Sequence, residues 1–447
     1  MSGSPRAGVA LAFFTVLAPA PQTFGEETPP NAVVTLTLVE AVARAQAASA
    51  HLGQLRALQE AAAAGSRGAR AQRLPSLGLS AAYSRSSNVP EFVSGVPGQG
   101  TQVIFPNLPN QGYARASLSL PIYTGGRIGA SVDAAVQLEE ASRLDTAAGQ
   151  SDLVLETTSV YWMLVAQRRA EEVLREAIAA YEAHLANATN LFDNGMVARN
   201  ELLAVQVERD RAALARLRAA NAAELANANL LRLLDLPPGA RFEPATELAV
   251  TELVAEDVEP LVQRALEVRP ELAGLMARLA AAQAAVRTAR SSALPQLGVT
   301  GSYDYANPNL RIFPLAPTWR DTWSVAGTVS VLAFDGGRTA AVTAEKRAQA
   351  EALRLQLVDA QRRIRLDVTS RLLEIRTAQA AVGLAAGNLE AARENVRVNK
   401  DRYQAGVSLS SELLDAETQL LRAGLDQTEA MTQLLVAKAS LDRAVGR

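Results

Sequence analysis

The chain contains no cysteine, which excludes disulfides and thiolate metal sites. Histidine is nearly as scarce. His51 and His184 are the only two, and they fall on separate predicted helices, so no metal site is expected. Aromatic residues make up only 4% and charged residues 20%. A large globular core needs more bulky side chains, although 447 residues would suffice for two or three ordinary domains. The net charge of −2 gives no electrostatic case for nucleic acid. No run of about 18 apolar residues occurs past the N-terminus, so no transmembrane helix is expected. No nucleophile–base set and no phosphate loop is present, which argues against an enzyme and against a cofactor. Proline is missing from two long stretches, from Ile122 to Leu236 and from Gly337 to the C-terminus.

What fills these stretches is alanine, interspersed with apolar residues at heptad spacing, as suits long and closely packed helices. Each is introduced by the same device. Ser119-Leu-Pro-Ile-Tyr-Thr-Gly125-Gly126-Arg127 opens the first, and Ser330-Val-Leu-Ala-Phe334-Asp-Gly336-Gly337-Arg338 opens the second. A strand feeding a very long helix through a glycine pair, twice, is an internal repeat. Leu74-Pro-Ser-Leu-Gly-Leu matches Leu294-Pro-Gln-Leu-Gly-Val at an offset of 220. The Gly-Gly-Arg junctions match at 211, as do Phe192-x-x-Gly195 and Tyr403-x-x-Gly406. The difference of nine falls in the loop between two strands, which is longer in the first half.

In order, residues 1–25 read as a signal peptide: Arg6, then an apolar stretch from Val9 to Leu17, then Ala18-Pro-Ala20. The alternative is an unstructured apolar N-terminus. Residues 26–236 form the first repeat, 237–260 a connector, and 261–447 the second repeat. Helix is predicted from Thr35 to Arg73. A strand then begins at Ser76, with Leu77, Leu79, Ala81 and Tyr83 on one face and small or polar residues on the other. Asn88 to Gly112 reads as a loop, and a second strand follows with Ala114, Ala116, Leu118, Leu120 and Ile122 on its apolar face. From Arg127 a helix runs to about Asn190, breaks at Asp193-Asn-Gly195, and returns through Leu203, Val207, Leu214, Leu217 and Leu225. The second repeat predicts helix from Val262 to Ala293 and strands on either side of a proline-containing loop at Ala306–Thr318, the later strand continuing to Phe334. Its long helix carries Val368, Ile375, Val382, Leu389, Val396 and Tyr403 at intervals of seven, and the return helix begins at Ser411.

Each half therefore supplies two strands of about ten residues with one apolar face, the length and pattern of a membrane barrel strand. Four strands cannot close a barrel, and an open edge in lipid strands its backbone groups at several kcal/mol each. Three copies would give a 12-stranded barrel and a cylinder of 12 helices. The fold class expected is thus mainly α with a membrane β-barrel: a duplicated strand hairpin plus long helical hairpin, assembled as a homotrimer. Trp319, Trp323 and Tyr305 stand where a membrane-interface girdle would be. A coiled-coil structural or adaptor protein without a barrel is the alternative, and it leaves the alternating strands unexplained.

On these motifs the sequence resembles the TolC-like outer-membrane efflux proteins. The matching segments are Leu118–Arg127, Val329–Arg338, the tip Leu191-Phe-Asp-Asn-Gly195-Met196-Val197, and the tip Arg402-Tyr403-Gln-Ala-Gly406-Val407-Ser408 with Ser411-Glu412-Leu-Leu-Asp415 after it. The resemblance implies a trimeric exit duct in the outer membrane of a Gram-negative bacterium, with a helical tunnel across the periplasm. It implies docking onto a periplasmic adaptor and an inner-membrane transporter. It places a pore constriction at Glu412 and Asp415 and adaptor docking at Gly195, Met196, Val197, Gly406, Val407 and Ser408. Tyr403 ends the heptad stripe, which leaves two readings of it, packing alone or a tip-closure hydrogen bond to Glu201 on the neighbouring hairpin. Position 412 is glutamate where relatives often have aspartate, and Ser408 stands where some carry arginine. A duct for type I protein secretion has the same features, because cargo is chosen by the transporter.

Overall fold

The computed structural model describes residues 33–96, 100–249 and 257–447. The signal-peptide reading lies outside the described residues. The chain is mainly helical. In the first repeat, strand β1 (Val33–Leu36) leads to helices α1 (Leu38–Ala48) and α2 (Ala50–Ala71), then to strands β2 (Ser76–Arg85), β3 (Phe92–Val96), β4 (Gly100–Phe105) and β5 (Asn110–Tyr123). Helices α3 (Arg127–Asp193) and α4 (Arg199–Leu233) complete it. After β6 (Arg241–Pro244) come α5 (Val258–Val268), α6 (Pro270–Ser291), β7 (Gln296–Asn307), β8 (Arg320–Ser330), α7 (Arg338–Gln404) and α8 (Ser410–Val445). Both α3 and α7 have 67 residues, roughly 100 Å at the α-helical rise. Among the described residues no helix is long and apolar enough to cross a membrane.

Several elements depart from the sequence expectation for identifiable reasons. The helix predicted over Thr35–Arg73 is two helices behind a short strand. Thr37 caps α1 through a capping box with Glu40, and Ser49, extended at ψ 115°, ends α1 and accepts from Leu52 N to start α2. The counterpart in the second repeat breaks at Arg269, because Pro270 must open a new helix. The predicted loop 88–112 contains the β3–β4 hairpin. The connector is tied to the N-terminus, where β6 pairs parallel with β1. Phe242 of β6 is buried edge-on against Tyr161, whose other neighbour is Trp162.

The four long strands form one antiparallel sheet in the order β2–β5–β7–β8. Its register obeys the repeat. Ser76 pairs with Ser119, and moving the two by 220 and 211 gives Gln296 with Ser330, the pair observed between β7 and β8. One face carries Leu77, Leu79, Leu118, Tyr303, Trp323 and Val325; the other carries Ser80, Arg115, Ser302, Asp304, Thr322 and Ser324. The strand expected to reach Phe334 stops at Ser330, opposite the first residue of β7. Beyond it the backbone has no strand neighbour among the described residues, whereas central β5 has one on each side and continues to Tyr123.

At the strand-to-helix junctions Gly125, Gly126, Gly336 and Gly337 all have positive φ, from 62° to 86°. At Gly125 space also decides the residue. A Cβ there would lie 2.7 Å from Leu294 Cβ and 2.9 Å from the Ser291 carbonyl oxygen, where the α6–β7 turn packs on the junction. At Gly336 the same space is empty. Arg127 is half-buried beside its junction and Arg338 is exposed.

The helices lie in a row, α4–α3–α8–α7, with α2 and α6 against α3, and α6 also against α7. Alanines make the close contacts: Ala212, Ala219, Ala223 and Ala226 of α4 are buried, while Leu203, Val207, Leu214, Leu217 and Leu225 face outward. Helices approach most closely over small residues, so the leucines are left for the open flank. The heptad positions of α7 do point into the chain, with Val368, Ile375 and Leu389 buried. At the end of α8, Arg443 bonds Asp152 of α3 and Glu271 of α6, and Arg269 bonds Asp367 of α7 at 3.0 Å. This ion cluster fastens the α5–α6 break to the middle of both long helices.

Candidate functional site: the helix tips

Far from the sheet, the two helical hairpins end in the same structure. In the first tip Gly195 N donates to the Phe192 carbonyl (2.8 Å) and Met196 N to the Leu191 carbonyl (2.8 Å). In the second, Gly406 N donates to the Tyr403 carbonyl and Val407 N to the Arg402 carbonyl, both at 3.0 Å. These are two Schellman motifs, which need a left-handed residue at their turn. Gly195 and Gly406 supply it with φ of 71° and 74°. Met196, Val407 and Leu409 are exposed at the ends, while Val197 and Ser408 are half-buried.

The acidic residues fall in the returning helices. Glu201 and Glu412 each stand in a first turn, where the helix dipole favours a carboxylate. Glu412 is not free: Ser408 Oγ donates to it at 2.9 Å, and Arg402 lies 3.6 Å away. Asp415 is exposed one turn later, on the face opposite the buried pair Leu413 and Leu414. Glu412 and Asp415 thus share an outward face of α8, three residues apart.

Tyr403 and Glu201 form no hydrogen bond within the chain. The Tyr403 hydroxyl is buried near Ser410 without a hydrogen bond of good geometry, and burial holds its pKa above the usual tyrosine value against the lowering influence of Ser410. Its ring instead meets His184 edge-on at 5.4 Å. His184 carries no signal in the sequence beyond its helix, yet it is the centre of a largely buried cluster. Its Nδ1 is 3.0 Å from Glu417 Oε2, and its Nε2 is 3.0 Å from the hydroxyl of Ser410, the first residue of α8. One turn back, the Tyr181 and Thr418 hydroxyls are 3.2 Å apart. The cluster ties α3 to α7 and α8 just inside the tips. Its members lie more than 200 residues apart in sequence, so no local signal could have revealed it. His184 is 3% and Ser410 2% exposed, while Glu417 and Tyr181 reach the wall of a cavity of about 190 Å³ between α3, α7 and α8; the set holds these helices together.

A model of the outer membrane efflux protein family matches residues 41–235 and then 261–447, once per repeat. The chain belongs to this family. Its place is therefore the outer membrane of a Gram-negative bacterium. That sets aside the coiled-coil adaptor reading. Among efflux-family relatives, the outer membrane protein OprJ of Pseudomonas aeruginosa is 24% identical over 87% of this chain and 79% of its own length. Two solved structures share the fold. The CmeC outer membrane channel of Campylobacter jejuni superposes with a TM-score of 0.79 at 19% identity, over 92% of this chain and 85% of that one. The open state of the MtrE outer membrane channel of Neisseria gonorrhoeae gives 0.76 at 20% identity, over 92% and 88%. Among the described residues of this efflux-family chain, no group of acidic and histidine side chains is arranged to hold a metal ion.

Proposed function

We propose that three copies of this chain form a duct that passively conducts substrates from an inner-membrane transporter and a periplasmic adaptor across the outer membrane. The observation that carries the reading is the four-stranded sheet. It is apolar on one face and polar on the other, ends in two unpaired edges, and leads directly into 67-residue helices. An unpaired edge is untenable in lipid. Three sheets joined edge to edge give a 12-stranded barrel with its polar face around water.

The helix row supports the same closure. Leu203, Val207, Leu214, Leu217 and Leu225 fall within about 80° of arc on the outer flank of α4. Leu355, Leu366, Leu373, Leu384 and Val398 fall within about 40° on the outer flank of α7, at the other end of the row. Two exposed apolar stripes at opposite ends suit a ring in which α4 of one chain packs on α7 of the next.

In this reading the tips lie at the periplasmic end. Exposed Met196 and Val407 at the Gly195 and Gly406 turns, with Val197 and Ser408, form the docking surface for the adaptor. Glu412 and Asp415, repeated around the threefold axis, form the constriction, with Glu201 and Tyr403 closing contacts between neighbouring hairpins. The test is purification in detergent followed by native mass and planar-bilayer recording. A mass of about three chains with ion-conducting channels is expected, and a stable monomer with its strand content intact overturns the reading.

A further inference from the structure

The far end of the sheet holds a feature that the periplasmic tips do not explain. The β7–β8 loop does not extend away from the strands but folds back across their polar face. Asn309 fastens it. Asn309 is 6% exposed; its Nδ2 donates to the Arg320 carbonyl (3.0 Å) and to Thr322 Oγ1 (3.2 Å), and its Oδ1 accepts from Arg311 N (3.0 Å). All of its bonding capacity but one lone pair is used, which fixes the loop in place. Under it, Asp304 accepts from Arg115 and from Ser302 Oγ, and Ser302 bonds Ser324 at 3.0 Å. Between loop and strands lies a cavity of about 410 Å³, lined by Gln111, Tyr113, Arg115, Asp304, Asn309 and Arg311 among others.

The charge here has one sign in excess. Arg115 and Arg311 line the cavity, and Arg320 shares the face through its pairing with Ala306. Asp304 is the one carboxylate in the lining. Arg115 lies 5.6 Å from the Tyr113 ring centroid and keeps a side chain 54% exposed despite its bond to Asp304. Three guanidiniums against one carboxylate leave two positive charges in excess per chain. Guanidinium forks suit phosphate oxygens, and a confined ring of like charge focuses counter-ions.

We propose that this cavity is a cationic collar inside the outer mouth of the duct, which binds polyanions arriving from outside, phosphate-bearing ones above all. The proposal rests on the trimeric duct. In that assembly the excess becomes six positive charges around one opening. The collar opposes the acidic tip: carboxylates at one end favour cations, guanidiniums at the other hold anions.

The test uses the full-length trimer in planar bilayers with inositol hexakisphosphate as probe, added to either side. Block from the barrel side, and not from the tip side, is expected. Arg311→Ala with Arg320→Ala should raise the half-blocking concentration at least tenfold, whereas Arg311→Lys should keep most of the block. Asn309→Ala keeps every charge but frees the loop, and should also weaken block several-fold. Block should fade in 1 M salt, where the Debye length is about 3 Å. Conducting trimers that hexaphosphate does not block, or that block equally in the arginine variants, overturn the collar and leave the duct standing. If the chain forms no conducting trimer, the duct reading fails and the collar with it.

Discussion

In the proposed trimer, the internal repeat fixes the register of the contact between chains. Within the chain, β5 and β7 pair with Arg115 opposite Asp304. The counterparts of β5 and β7 across a trimer seam are β8 and the next chain's β2. Moving Arg115 by 211 and Asp304 back by 220 places position 326 opposite Ser84. The same register places Val329 opposite Ala81 and Val331 opposite Leu79. Carried through the bulge at Pro121–Tyr123, the same offsets set residues 77–85 of β2 against 325–334 and extend β8 through the segment that lacks a neighbour among the described residues. Without this pairing each edge would expose on the order of ten backbone groups to lipid, a penalty of tens of kcal/mol. Because the chain has no cysteine, the seam can be probed cleanly. Ala81→Cys with Val329→Cys should oxidise to a covalent ladder of dimer and trimer on denaturing gels, and so should Leu79→Cys with Val331→Cys. Opposed Cβ atoms lie about 4.5–5.5 Å apart, close to what a disulfide spans. A slip of two residues moves them about 6.6 Å along the strand, out of reach, and a slip of one turns the thiols to opposite faces. Leu79→Cys with Val329→Cys should therefore stay monomeric. Preferential linking of that slipped pair, or no linking in an intact trimer, would refute the register. The same offsets send the next chain's Leu74, which is exposed, into the space left open at Gly336.

Four other outcomes follow from the described contacts. Gly406→Leu forces a bulky side chain into φ 74° at the tip and should lower efflux while the trimer still inserts; unchanged export would mean that this turn is not the docking end. Glu412→Ala with Asp415→Ala should reduce cation selectivity and weaken divalent block from the tip side, and unchanged currents would make the pair a solvated helix face. His184→Phe leaves Glu417 without its partner inside the tip, at a penalty on the order of 1–3 kcal/mol, so amide exchange in the last turns of α3 and the first of α8 should accelerate; adding Glu417→Leu should restore part of the protection, and unaltered exchange would show that the cluster does not hold the helices together. Burial is the largest influence on the Glu271 carboxyl and pushes it up, but the Arg443 hydrogen bond, a backbone hydrogen bond and the charges of Arg443 and Arg269 together outweigh it, so its pKa stays below the usual value. A lowered carboxylate pKa contributes stability above the unfolded value of about 4.3 and loses it as pH falls through the folded one. The gap in thermal midpoint between wild type and Glu271→Gln should therefore close below about pH 4, and a gap constant from pH 7 to 3 would contradict this.

The duplicated strand, glycine pair and long helix were legible because periodicity and turn chemistry are local. Gly195 and Gly406 could be placed at helix ends from sequence, since only a few residues tolerate that backbone. The breaks at Ser49 and Arg269 were harder to see, because helical periodicity runs through a single extended residue. Phe334 alternates like a strand, but a strand also needs a neighbour, and that neighbour is not in the chain. The leucines of α4 mark a helix in the sequence but not the face it exposes, because period alone does not say which face meets which helix. His184 was invisible as a centre for the reason that makes it matter: its partners come from the other half of the chain.

Helices α3 and α7 have the same length to the residue, 67 each, and both start at a glycine pair set by paired strands of one sheet. Together they act as a gauge rod with a fixed zero, and the tips stand at one depth because both rods are cut alike. Each residue added to one rod alone would advance its tip about 1.5 Å and rotate it about 100°, turning the side chains at its end away from their present direction. Seven residues added to both outgoing and both returning helices would instead lengthen the rod by about 10.5 Å with little rotation. If the proposed duct holds, the span it crosses is written into this chain in steps of a heptad, which is how such a rod could be recut for an envelope of different width.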